Sequence, residues 1–280
     1  MDKTTLLQYP TESSHHVKAF STTRIAPYPL LEKELSAMGN YAAFNLTDYC
    51  GDSPERVSRN KEWLASELSV SSERIVLPRQ THTDNVRVLN GHFLELNLEE
   101  RQKYLQDVDA VVTAESNLCI GVSTADCVPI LLYDPEKRVA AAVHAGWRGT
   151  VKQIAKKCVE EMANTFSCNP SDIRAIVGPS ISPEAFEVGE EVVEAFRSAG
   201  FEMGGILSYK LAMHAPESSS KKAHIDLWAA NTMLLEEAGL DFCHIKVSGI
   251  CTYFHSDTFF SARKLGIKSG RIFTGIMLEK

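Results

Sequence analysis

Two apolar runs, VPILLY and VAAAVH, lie on either side of DPEK, and each carries a chemically active residue at its outer end. Cys127 immediately precedes the first run and His144 ends the second. Asp-Pro starts turns, so the two runs read as a β-hairpin. Pairing Tyr133 with Arg138 across a four-residue loop at 134–137 puts Cys127 directly opposite His144. Opposed side chains have Cβ atoms roughly 4.5–5.5 Å apart, a gap that one metal ion can bridge. A thiolate with an imidazole suits Zn²⁺. PRQTHTDNV offers a third ligand, His82, in a polar turn between two strand candidates. Three protein ligands leave a fourth position for water or substrate, which is the arrangement of catalytic rather than structural zinc.

The residues after His144, AGWRGT, lead towards a helix. Helix starts present free N–H groups and favour anions. Arg148 offers a planar fork to phosphate, and Gly146 and Gly149 permit close backbone approach. The plainer readings are a cysteine that merely packs, a histidine that merely faces water, and a Gly-Trp-Arg-Gly turn with an aromatic plug. Convergence of all three ligands would decide against them. The same residues also allow a metal-free cysteine hydrolase, with Cys127 as nucleophile and His144 or His82 as base, or a zinc-stabilised binding protein. Asp126, next to Cys127, and the more remote Asp109 and Glu187 are each a candidate proton carrier or scaffold, and His224 and His255 are further candidates for the neighbourhood. Asn45 is a candidate hydrogen-bond partner for substrate, and Arg79, just ahead of the His82 turn, a second phosphate candidate.

Four helices must help to position these groups. SPERVSRNKEWLASEL has Ser53 as cap and Pro54 in its first turn. TVKQIAKKCVEEMANTF has a Thr150–Gln153 capping box and one apolar face. EEVVEAFRSAG ends at Gly200, and DLWAANTMLLEEAG opens at Asp226 and ends at Gly239. Strands are expected in HVKAFST, RIVLP, NVRVLN, DAVVTA, LCIGVS, VPILLY, VAAAVH, RAIVG, IKVSGI and RIFTGIML. Many are continuous apolar runs, the pattern of sheets buried on both faces. Strands in clusters with a few long helices between them predict an α+β fold of mixed β-sheets flanked by helices. HAPESSSKKAH, residues 214–224, reads as a surface loop. It is no convincing linker, so one domain is expected over residues 1–280.

TADCVPILLYDP, AAVHAGWRGT and QTH together resemble the laccase-domain proteins, historically called polyphenol oxidases and later purine nucleoside phosphorylases. FNLTDYCGDSPERVSRN, GPSISPEAFEVGEEV, DLWAAN and CTYFHSDTFFSARK with its following GR extend the resemblance from about Phe20 to the end. The resemblance implies that His82, Cys127 and His144 are zinc ligands. It implies phosphorolysis of adenosine, inosine and methylthioadenosine to free base and ribose 1-phosphates, with adenosine deamination as an additional activity. Two departures stand out. Glu184, Ala185 and Phe186 occupy positions where the family often has two cysteines and a tyrosine. Its Ser-Tyr-Arg segment is here Ser261, Ala262 and Arg263, which removes an aromatic ring but keeps an arginine that could face substrate.

Composition narrows the partners. The 280 residues carry 29 Lys and Arg against 36 Asp and Glu, a net charge of −7, which gives no global attraction to nucleic acid or anionic membranes. No apolar run reaches the roughly 20 residues of a membrane helix, and the start of the chain lacks the pattern of a signal peptide. The seven cysteines are scattered without a CxxC pair, pointing to a reducing cytoplasm. Nine histidines without a His-x-His pattern are too few for a multicopper cluster, although Cu²⁺ could displace Zn²⁺ at a Cys/His/His site. The partners that the resemblance implies are a purine nucleoside and phosphate, with neither nucleic acid nor membrane expected and the protein a monomer or homodimer.

Overall fold

The computed structural model describes residues 4–11, 16–30, 32–41, 44–211 and 220–280. Its strands in chain order are β1 (Leu6–Gln8), β2 (Val17–Thr22), β3 (Ile75–Val76), β4 (Val86–Leu89), β5 (Ala110–Thr113), β6 (Cys119–Thr124), β7 (Val128–Asp134), β8 (Val139–Ala145), β9 (Arg174–Val177), β10 (Glu187–Val188), β11 (Leu207–Lys210), β12 (Lys222–Ile225), β13 (Ile245–Val247) and β14 (Ile272–Leu278). They form a six-stranded mixed sheet in the order β13-β9-β7-β8-β5-β4, a five-stranded mixed sheet β1-β2-β14-β6-β3 and a small sheet β10-β12-β11. This is the α+β class that the clustered strands predict.

Alternation along each strand builds the layers. In the six-stranded sheet, Val112, Ile130, Leu132, Ala141 and Val143 pack against the helices Ile154–Phe166 and Leu227–Glu237. Val111, Leu131, Ala140 and Ala142 point the other way and meet Ala19, Ile120, Val122 and Ile276 of the five-stranded sheet. Beyond that sheet, Phe20, Phe273 and Met277 cover Leu64 and Leu68 of the helix Pro54–Leu68. Strands β7 and β8 therefore have no solvent face, and every one of their residues is buried. Small alanines in β8 let the two sheets approach closely.

Several local expectations change. Strand β7 continues to Asp134, which pairs with Val139, so the hairpin register is displaced by two residues from the predicted one. Asp134 Oδ1 accepts hydrogen bonds from Glu136 N and Lys137 N at 2.9 Å each, and Arg138 turns the chain with φ 51°. The turn thus consumes 135–138 rather than 134–137. The Thr150–Gln153 capping box is absent. Thr150 lies inside a short helix, Trp147–Val151, and Gln153 at φ 63° separates it from Ile154–Phe166. Ser53 precedes its helix, but its hydroxyl donates to Glu55 instead of capping. Lys222–Ile225 of the expected surface loop is strand β12, with Ala223 and His224 buried, while 214–219 lie outside the described residues. Among the described residues no helix is long and apolar enough to cross a membrane.

Candidate metal centre

His82, Cys127 and His144 converge at one end of the six-stranded sheet, with their ligand atoms all within 4.8 Å of one another. Cys127 Sγ lies 3.8 Å from His82 Nε2, and the two imidazole rings meet edge to face at 4.9 Å. The two-residue change of register explains why Cys127 and His144 still meet. In the observed pairing Val128 faces Ala145 and Pro129 faces His144, so Cys127 is diagonal to His144 instead of opposite it. Side chains repeat every two residues, so a shift of two keeps both on the same sheet face. A shift of one would have separated them.

Position 146 completes the convergence. A Cβ on Gly146 would stand 2.9 Å from Cys127 Sγ and 3.1 Å from His82 Cδ2. The missing side chain thus leaves room for the side chains of Cys127 and His82.

Each candidate ligand sits on a differently held segment. His144 is 4 % exposed at the end of β8. Its Nδ1–H donates to Asp109 Oδ1 at 2.7 Å, which leaves Nε2 as the atom that can face an ion. His82 is exposed, in a turn where it adopts φ 63°. Asp109 accepts from the backbone N–H groups of Thr81, His82 and Thr83 at 3.3, 3.1 and 2.7 Å, and from Thr83 Oγ1 at 2.7 Å. Cys127 follows Asp126, whose φ is 88°. Asp126 accepts from Thr252 Oγ1 at 2.6 Å and Arg263 N at 2.7 Å, the scaffold half of its two candidate roles.

The electrostatics favour a thiolate at Cys127, a carboxylate at Asp109 and a protonated imidazole at His144, whose Nε2 proton a bound ion would displace. Burial alone would raise the Cys127 thiol, but the charges and hydrogen bonds of His144 and His82 outweigh it and hold the thiol well below its usual range. Burial alone would lower His144, but Cys127 and Asp109 outweigh it and raise that imidazole. For Asp109, burial is outweighed by hydrogen bonds to His144 and Thr83, and its carboxyl falls to about 2. A thiolate, two imidazoles and an ionised carboxylate behind one of them are a donor set that fits a borderline-soft divalent ion.

The other sequence candidates are more dispersed. Arg148 is exposed within Trp147–Val151, its guanidinium 4.3 Å over the Trp147 ring. Arg79 is exposed and stacks 4.5 Å over Tyr49. Arg263 directs Nη1 and Nη2 at Glu187 O, both at 3.2 Å, and stands over Phe186. Asn45 is 1 % exposed. Its Nδ2 donates to Thr47 O and Asp52 Oδ2, while its Oδ1 accepts from Thr47 and Arg271 N. His224 is buried on β12 with Nδ1 donating to Pro183 O at 2.8 Å.

One residue, Gln80, escaped the sequence reading, and another, Asp109, was named there without its place. Gln80 joins the two ligand segments: its Nε2 donates to Ser123 O at 3.0 Å and its Oε1 accepts from Ser123 N at 2.8 Å. Asp109 was one carboxylate among several, yet extending the antiparallel β5–β8 register by one residue sets it beside His144. A charged residue heading a strand as apolar as AVVT was the available signal.

The family model described as "Multi-copper polyphenol oxidoreductase laccase" matches residues 33–279. The chain is 46 % identical over 242 residues to a "Purine nucleoside phosphorylase" of Bacteroides thetaiotaomicron, covering 86 % of this chain and 87 % of that protein. It is 43 % identical over 265 residues to "Adenosine deaminase RL5" from an unknown prokaryotic organism, covering 95 % of each. The crystal structure of YlmD from Geobacillus stearothermophilus superposes with a TM-score of 0.85 at 27 % identity, covering all of this chain and 98 % of that one.

Proposed function

Because the chain belongs to the multi-copper polyphenol oxidoreductase laccase family, we propose that it is a zinc-dependent purine nucleoside phosphorylase acting on adenosine, inosine and methylthioadenosine. The observation that carries this reading is the convergence of His82, Cys127 and His144 in a chain so similar to a named purine nucleoside phosphorylase. Zinc is preferred to copper because one thiolate and two imidazoles with an open position suit a tetrahedral, redox-inert ion. We further propose that residues 1–280 act as one domain, as a monomer or homodimer in the cytoplasm.

Phosphorolysis replaces the bond between the ribose anomeric carbon and the purine nitrogen with a bond to a phosphate oxygen, and the base departs with a proton. When bound, the ion supplies positive charge that draws a substrate oxygen and stabilises negative charge there. His144 presents Nε2 to the ion because Asp109 holds its Nδ1–H. Arg148, Arg263 and Arg79 gather the phosphate as permanent cations. Asn45 serves the substrate indirectly, by holding the loop of Thr47 and Asp52.

Adenosine deamination is the second reading, favoured by the likeness to the named deaminase. One experiment separates the two. Purified protein is incubated with adenosine, and separately with inosine and methylthioadenosine, with and without phosphate, products are followed by mass spectrometry, and metal content is measured beside Cys127→Ala. Adenine and ribose 1-phosphate formed only with phosphate, and lost together with zinc in the variant, is the expected result. Inosine formed without phosphate makes the protein chiefly a deaminase. A zinc-loaded wild type that leaves adenosine, inosine and methylthioadenosine unchanged overturns both readings.

A further inference from the structure

A single carboxylate touches the supports of two metal-ligand candidates. Asp109 is fully buried at the head of β5. Oδ1 accepts the Nδ1–H of His144 at 2.7 Å and the backbone N–H of His82 at 3.1 Å. Oδ2 accepts Thr83 N and Thr83 Oγ1, each at 2.7 Å, and Thr81 N at 3.3 Å. Its own backbone carbonyl accepts His144 N at 2.7 Å. We infer that Asp109 is a positioning residue that sets the tautomer of His144 and the backbone of the His82 turn together, so that the two imidazoles are aimed at one point as a unit. The inference rests on the metal reading proposed above.

The geometry makes the dual role specific to a carboxylate. Three successive N–H groups, from Thr81 to Thr83, converge on it, and His82 sits between them at φ 63°, a conformation most side chains avoid. Without an acceptor at their focus these N–H groups have no reason to hold the turn. An amide at position 109 has one acceptor oxygen in place of two. If its oxygen faces the turn, its NH₂ faces His144 Nδ1, and that nitrogen must become the acceptor. The proton then sits on Nε2 and blocks the ligand atom. If its oxygen faces His144, the NH₂ opposes the N–H groups of the turn. Either way one imidazole is lost to the centre. Outer partners of ligating histidines typically change metal affinity by roughly 10–100-fold.

The test measures Zn²⁺ affinity by chelator competition and the visible spectrum after Co²⁺ loading, on the full chain. The variants are Asp109→Asn, Thr83→Val, Thr83→Ser and, as a stability control, Leu64→Ala in the distant helix Pro54–Leu68. Asp109→Asn is expected to weaken Zn²⁺ binding roughly 10–100-fold and to change the Co²⁺ spectrum. Leu64→Ala is expected to lower the melting temperature and leave both readouts at wild type. Thr83→Val removes one of the bonds to Oδ2 and is expected to weaken binding about 2- to 10-fold, with Thr83→Ser restoring it. The Thr83 pair decides the matter if Asp109→Asn does not fold. Wild-type affinity and spectrum in a folded Asp109→Asn, or wild-type affinity in Thr83→Val when that variant must decide, overturns the inference and leaves the metal reading intact. A wild type that takes up neither Zn²⁺ nor Co²⁺ overturns both.

Discussion

His144 and Arg148 are four residues apart and stand on different ground. His144 is buried at the end of a strand with no solvent face, and an ionised carboxylate fixes which nitrogen it presents. Arg148 is exposed on a single turn of helix and leans on the ring beside it. The same contrast separates the candidate ligand trio from the other residues expected around the substrate. His82, Cys127 and His144 are held by Asp109, Asp126 and Gln80 to within 4.8 Å of one another. Arg79, Arg148 and Arg263 reach out from three separate segments, stacked on Tyr49, Trp147 and Phe186. An ion needs its ligands placed to a fraction of an ångström, whereas a diffusible anion can be gathered by cations with some freedom to adjust. The rigid part of the site is therefore expected to govern metal content and turnover, and the exposed part the affinity for phosphate.

The largest effect that this contrast predicts is at Cys127. Cys127→Ser removes the thiolate, the softest donor of the set. Several kcal/mol of charge stabilisation go with the ion, so turnover of adenosine with phosphate should fall on the order of 100- to 1000-fold, with zinc content falling in parallel. Retention of both zinc and turnover would collapse the division between the two regions. Gly146→Ala comes next. Its new Cβ would press on Cys127 Sγ at 2.9 Å and His82 Cδ2 at 3.1 Å. Overpacking of this kind costs about 1–3 kcal/mol, so zinc affinity should weaken about 10-fold while the circular dichroism spectrum is unchanged. Wild-type affinity in this variant would mean that the ligands are looser than their supports imply.

The rigid part was also the legible part. Strands β7 and β8 announce themselves as apolar runs broken by Asp-Pro, with a candidate ligand just before the first and near the end of the second. The register missed by two because Asp134 is both the last strand residue and the side chain that organises the turn, which depends on its hydrogen bonds and not on its type. The site survived that error through the two-residue repeat of the pleat. The capping box failed for a related reason: Thr150 has the right type and spacing, but its hydroxyl donates back to Gly146 O within an earlier turn of helix. The helix Leu98–Tyr104 was missed although Asn97 and Glu100 form a complete capping box at its start. The small sheet β10-β12-β11 was missed because its strands are short and mixed in polarity. For the residues expected around the substrate, exposed or buried, no periodicity exists to read. Asn45 has the type of a substrate-binding residue, yet only its neighbours reveal that its amide is engaged within its own loop.

A smaller effect is expected at the exposed arginines. Arg148→Gln and Arg263→Gln should each raise the KM for phosphate about 3- to 10-fold, with kcat and zinc content near wild type, consistent with one charge-assisted contact to an anion. Exposed charges are screened within about 10 Å at 0.1 M salt, so the wild-type KM for phosphate should rise with ionic strength and the variants should respond less. Steady-state kinetics at two salt concentrations reads both effects. A fall in kcat without a change in KM would move either arginine to the side of the ligands.

Arg79 offers the finest test, because it sits where the two regions touch. Its guanidinium lies over Tyr49, and Tyr49 Oη is hydrogen-bonded to Ser123 Oγ. Ser123 is in turn gripped by Gln80, the neighbour of Arg79 in sequence and the link between the segments of His82 and Cys127. An exposed cation–π contact contributes only about 0.5–1 kcal/mol, so Arg79→Gln should raise the KM for phosphate about twofold and leave zinc content unchanged. Tyr49→Phe keeps the ring under Arg79 and removes the hydroxyl at Ser123, and should leave the KM for phosphate at its wild-type value. If zinc affinity falls in both variants, the stack is instead a brace for the ligand segments through Gln80 and Ser123. The boundary between placed ligands and gathered anion would then lie outside Arg79, at Arg148 and Arg263.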